Sequence, residues 1–337
     1  MKKRENTMPA VSLHQITIEL TNRCNLRCRM CTIWKEKKKH DIDPATIPAI
    51  LALSNKPLQI ALTGGEPLLH PQFEAIYTRL YQAYRAKKVS GIDISTNATP
   101  QALAEFLMKR TALLKPLSLS ISLDGLPAIH NIQRGHPRAF TRMIKNIALA
   151  RKLNIPVDAT FTITSLNYKN IRQTYALSRR LNIPLVIKIA ELNNQRYYHR
   201  QGPAEHLGLT PLMRKKTISQ LRGIYQKELR RRKKADVAVN AIGILSRYLA
   251  TGTLDDIRTC ATPAHSLFIS YNAIIYSCLY LDPVGYLKGG AQAKIDLRKF
   301  KRIQRQAHNG DCPKCLAYHG FLKEYNAAEL KRIVQAV

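Results

Sequence analysis

The chain has 337 residues, with 54 lysines and arginines against 22 aspartates and glutamates, for a formal net charge of +32. Its 45% hydrophobic content is enough for a sizeable core, and its length allows one large domain plus a smaller one. No run is apolar enough to span a membrane and none follows the basic start Met1-Lys2-Lys3-Arg4 as a secretory signal would. The 7 cysteines are an odd number, which argues against a disulfide framework, so a reducing, cytoplasmic location is expected.

Residues 13–20 alternate, with Ile16, Ile18 and Leu20 set between polar neighbours, and predict a first strand. Directly after it come Cys24, Cys28 and Cys31 at C-x3-C-x2-C spacing, followed by Trp34, the only tryptophan. A helix is expected after Pro44 with Asp43 as its N-cap, running to about residue 53. Strand two, residues 59–63, runs into Gly64-Gly65-Glu66-Pro67. A helix over 71–86 leads to strand three at 91–95, which ends in Thr96-Asn97, and a helix over 100–113 leads to strand four at 117–123. Ser122 and Asp124 sit at the end of that strand, with Arg134 in the loop that follows. Helices over 138–153 and 169–181 lead to strands at 157–164 and 185–190. Strands alternating with helices predict an α/β fold with a parallel sheet. Six such units, fewer than a closed barrel needs, predict a partial (β/α)6 barrel whose working loops lie at the C-terminal strand ends.

Residues 191–256 lose the alternation and predict helices and connecting loops. The densest basic run, 214–234, carries Leu221, Tyr225 and Leu229 at helical spacing, which predicts one amphipathic helix with a solvated basic face. Cysteines return over 257–320 at Cys260, Cys278, Cys312 and Cys315, with a hairpin expected to turn at Asn272-Ala273, and a last helix is expected over 321–337.

Three thiolates can hold three irons of a four-iron cube and leave the fourth iron to a non-protein ligand. Half of a zinc site is the rival reading, but zinc favours C-x2-C pairs. The triad resembles that of the radical S-adenosylmethionine (SAM) enzymes. The resemblance implies that a [4Fe-4S] cluster with one open iron splits SAM to a 5′-deoxyadenosyl radical, and it covers about residues 13–190 as the core barrel. Met30 stands where that family usually has an aromatic residue. Gly64-Gly65-Glu66-Pro67 resembles the family's GGEP motif, which implies that Glu66 accepts the SAM ammonium group. By the same resemblance Thr96, Asn97, Ser122 and Asp124 are candidate SAM contacts.

The four late cysteines resemble a twitch domain, the short relative of the SPASM domain, which implies an auxiliary [4Fe-4S] cluster. Zinc held by all four thiolates is the competitor. Together these features imply hydrogen abstraction from a substrate carbon, with a flavodoxin- or ferredoxin-type reductant as partner. The expected outcome is peptide modification, or dehydrogenation of a small polar or anionic substrate such as a sugar. Too few residues precede the first strand for a peptide-recognition domain, which weighs against a peptide unless a separate protein recognises it. Charge alone supports a different class, a nucleic-acid- or membrane-associated binding protein with structural metal sites.

Overall fold

The computed structural model describes residues 13–190, 207–231, 237–251, 265–279, 281–288 and 292–308. Six strands stand where the alternation places them: β1 (Gln15–Glu19), β2 (Leu58–Thr63), β3 (Val89–Thr96), β4 (Leu117–Ser122), β5 (Val157–Ile163) and β6 (Leu185–Ile189). They pair in chain order and in parallel, as strand-helix-strand crossovers require. In β4 the leucines and Ile121 are buried while Ser118, Ser120 and Ser122 are half-buried, and β5 repeats this with Ala159, Phe161 and Ile163 against Asp158, Thr160 and Thr162. One sheet face therefore belongs to the core and the other is polar.

The helices α1 (Ile47–Leu51), α2 (Phe73–Arg85), α3 (Gln101–Lys109), α5 (Ala139–Lys152) and α6 (Ile171–Arg180) supply the core's other side. In α2, Phe73, Ile76, Tyr77 and Leu80 are buried at helical spacing, and Tyr77 and Phe73 meet Phe106 of α3 edge-on. Burying side chains of this size is worth roughly 1.5 to 3 kcal/mol each. Asp43 caps the first short turn by accepting from the Ala45 N–H. The basic run forms α7 (Pro211–Arg231), one helix as its spacing predicts, with Leu221 and Tyr225 buried against α8 (Val237–Thr251).

One expectation needs correcting. Residues 127–134, read as a loop, form a helix, α4 (Pro127–Arg134), with Pro127 in its first turn and Gly135 closing it in the left-handed conformation at φ 64°. Its buried side chains are His130, Gln133 and Arg134, so apolar periodicity had nothing to register. The late hairpin joins the same sheet. Strand β7 (Ser266–Ile269) pairs in parallel with β1, and β8 (Ile274–Tyr276), β9 (Gly285–Lys288) and β10 (Gln292–Ile295) extend the same sheet antiparallel beyond it. The hairpin turns where expected, and Ala273 holds φ 61°, which explains why glycine would be the natural residue there. Cys260, Cys312, Cys315 and the helix expected over 321–337 lie outside the described residues.

Candidate active site

The three early cysteines occupy the loop after β1, at the C-terminal end of the parallel strands. All three are free thiols, with Cys28 buried and Cys24 and Cys31 half-buried. Burial pushes Cys24 up to about 12 and Cys31 up to about 11, and it raises Cys28 as well; repulsion among the three adds to it. Backbone N–H groups of Leu26 and Ile33 and the Arg134 guanidinium pull the other way. Thiols this disfavoured as bare thiolates need a cation to ionise against, so three of them in one loop fit a donor set for a metal cluster. Among the described residues no three His, Cys, Asp or Glu side chains gather as a site for one metal ion.

The loop is held on every side. Gly65 N–H donates to Thr21 O and Glu66 N–H to Arg23 O, both at 2.7 Å, so the segment after β2 runs directly against the start of the cysteine loop. A Cβ at Gly64 would stand 2.4 Å from Thr21 O and one at Gly65 2.2 Å from Arg23 O. Those glycines admit the neighbouring loop. Asn22 ties the return of the loop by donating to Glu36 Oε2 and Lys38 O, each at 2.8 Å, and accepting from His40 N–H. Trp34 is half-buried and donates its indole N–H to Cys28 O at 3.2 Å, packing over the loop rather than standing free.

Glu66 is fully buried. Its Oε1 accepts from Thr96 Oγ1 at 2.8 Å and its Oε2 from Asn97 N–H at 2.9 Å, so two candidates from the third strand meet the acidic candidate from the second. Burial pushes its carboxyl up to about 7 despite these donors. The Asn97 amide also donates to Asn25 Oδ1, and Asn25 in turn donates to Thr99, which links the third strand's end to the cysteine loop. Pro67 opens the short turn whose first N–H, that of Leu68, faces Glu66.

Ser122 is half-buried at the end of β4. Asp124 is fully buried, accepts from Thr162 N–H at 2.7 Å and pairs with Arg134 at 2.5 Å. Arg134 reaches on to Cys28, its Nη1 lying 3.7 Å from Sγ. Two participants escaped sequence reasoning. Gln133 ties α4 to the site, accepting from Thr164 Oγ1 through its side chain and from Arg29 N–H through its carbonyl. Tyr271, in the hairpin turn, donates its hydroxyl to both Glu36 oxygens at 2.8 Å and stacks beside His40, with 6.0 Å between ring centres and 25° between planes. Nothing local in the sequence marks a contact across so long a separation. Cys278 is buried just past β8.

Residues 18–178 match the Radical SAM superfamily. The AdoMet-dependent heme synthase of Methanosarcina barkeri is 28% identical over 49% of this chain and 47% of its own length. The antilisterial bacteriocin subtilosin biosynthesis protein AlbA of Bacillus subtilis is 28% identical over 45% of this chain and 33% of its own. The chain thus spans less than half of either relative. The solved structure of native anSMEcpe with bound AdoMet and Cp18Cys peptide superposes with a TM-score of 0.63 over 97% of this chain and 98% of that one, at 17% identity, and so shares its fold. No helix among the described residues is long and apolar enough to cross a membrane.

Proposed function

We propose that the chain, whose residues 18–178 carry a Radical SAM superfamily domain, is an enzyme that cleaves SAM reductively and abstracts hydrogen from a carbon of its substrate. The observation that carries this reading is the buried triad of free thiols pinned against Gly64-Gly65-Glu66, in a loop at the C-terminal end of a partial parallel barrel. Cys24, Cys28 and Cys31 would hold a [4Fe-4S] cluster, and Glu66 with the ends of β3 and β4 would hold SAM. Bound there, the cluster and SAM together supply a 5′-deoxyadenosyl radical. The protein's own part is to hold both in one rigid frame: Gly64 and Gly65 let the two loops touch, Asn25 and Asn97 fix the third strand's end to them, and Glu66 offers a carboxylate to the ammonium group. Ser122, half-buried at the end of β4, would offer SAM a hydrogen bond.

Cys260, Cys278, Cys312 and Cys315 would hold an auxiliary [4Fe-4S] cluster that exchanges an electron with the substrate radical. A one-electron reductant protein would recharge the first cluster. A peptide is the substrate class to test first, because one relative is named as a bacteriocin biosynthesis protein and a structural neighbour holds a peptide.

Anaerobic reconstitution tests the reading. The wild-type chain is expected to bind about eight irons and eight sulfides as two cubes and to release 5′-deoxyadenosine from SAM under dithionite, while replacing Cys24, Cys28 and Cys31 by alanine abolishes that release. Replacing Cys312 and Cys315 should leave slow, uncoupled release but no modified product. Release unaffected by loss of the triad would refute the radical reading. About four irons with a stoichiometric zinc would remove the auxiliary cluster alone.

A further inference from the structure

Arg134 is a cation with 8% relative exposure, held at the last position of α4 by the Gly135 cap. A side chain at Gly135 would drive a Cβ to 2.3 Å from Arg27 O, so the cap exists to let this helix end meet the cysteine loop. The backbone joins them again where Arg29 N–H donates to Gln133 O at 2.9 Å. Each terminal nitrogen of the guanidinium has a different task. Nη2 pairs with the fully buried Asp124, and Nη1 points at Cys28 Sγ from 3.7 Å. Nε has no hydrogen-bond partner, and leaving such a buried donor unmet is costly. A buried charge persists only where paired, and Asp124 provides that pair while turning the fork toward sulfur.

We propose that Arg134, positioned by Asp124, sets the reduction potential of the cluster held by Cys28. This rests on the cluster reading above. A cation donating to a cluster thiolate stabilises the more negative, reduced state, so Arg134 makes reduction easier; the carboxylate behind it opposes this in part. The pair therefore acts as two opposed controls on one sulfur. Arg134 works through Cys28 as a positioning residue.

The test is redox titration of the first cluster by EPR in the full-length protein, with Cys312 and Cys315 replaced by alanine throughout so that one cluster is read. Arg134→Gln is expected to lower the reduced-to-oxidised ratio at fixed poise about tenfold, a shift of about 59 mV to lower potential for a one-electron couple. Arg134→Lys, which keeps the charge without the fork, should fall between Arg134→Gln and wild type, and it decides where Arg134→Gln does not retain iron. A potential below wild type sustains the proposal; no shift, or an upward one, overturns it. Equal potentials in all variants, each with an intact cluster, would overturn it while leaving the cluster reading standing. A parent protein that takes up no cluster would instead refute the cluster reading itself.

Discussion

Glu66 carries a site carboxyl whose titration falls near neutral pH, because complete burial pushes it up to about 7 against the pull of Thr96 and Asn97. The raised value means that the folded state holds the proton more tightly than the unfolded state. Its stabilising contribution is whole below the ordinary value of 4.5 and fades as pH rises through about 7. Thermal unfolding of the cluster-free protein should accordingly show stability lost over that window, and Glu66→Gln should remove that slope. SAM affinity should run the opposite way. An ammonium group needs the carboxylate, so binding should tighten as pH rises through 7, whereas Glu66→Gln should be flat with pH and weaker by about 1.5 to 3 kcal/mol. Titration calorimetry would decide, and a pH-independent affinity in the wild type would deny Glu66 this role. Neighbouring Gly65 is the other sensitive point: Gly65→Ala puts a methyl 2.2 Å from a backbone oxygen, and the expected result is a protein that no longer retains iron after desalting.

Among the elements, the hairpin turn between β7 and β8 does more than extend a sheet. Tyr271 reaches from it to Glu36, and Asn22 reaches Glu36 from the opposite side, so one carboxylate joins the cysteine loop to the hairpin. Tyr271→Phe keeps the ring beside His40 but removes both bonds, at a cost of up to about 1.5 to 3 kcal/mol for a charged acceptor. The variant should unfold at lower temperature and lose iron faster to a chelator; unchanged iron retention would show that the turn and the loop are independent. The elements also show what a sequence makes legible. The parallel strands are readable because β1, β4 and β5 alternate and short apolar runs between helical stretches mark the others, and the cysteine triad and the Gly-Gly-Glu-Pro turn because their spacing is chemically specific. The helix carrying Arg134 was not, since its buried face is polar, and the Tyr271 contact was not, since pairing between distant segments leaves no local pattern. Even the two glycines are legible as a motif, while their physical reason, the approach of Thr21 and Arg23, arises only when the two loops meet in the fold.

For the whole molecule, the decisive fact is that β1 is an interior strand, paired with β2 on one side and β7 on the other. Its buried Ile16 and Ile18 lie in the middle of a sheet assembled from both ends of the described chain. A chain ended after Thr251 would leave the β7 side of β1 as a bare, apolar edge, and the expected result is aggregation on expression, measured as the soluble fraction beside the full-length protein. A soluble, iron-binding truncation would show that the first six strands suffice. The same pairing sets a clock on biogenesis. Roughly 250 residues separate Ile16 from its partner Leu267, so at 5 to 20 residues per second a ribosome needs about 12 to 50 s to deliver the second neighbour of β1. Throughout that interval the nascent cysteine loop exists without Tyr271 to clasp it. If the loop holds the cluster proposed above, the hydroxyl that joins Glu36 to the hairpin arrives only after that interval, so iron taken up earlier should be lost to a chelator as readily as from Tyr271→Phe.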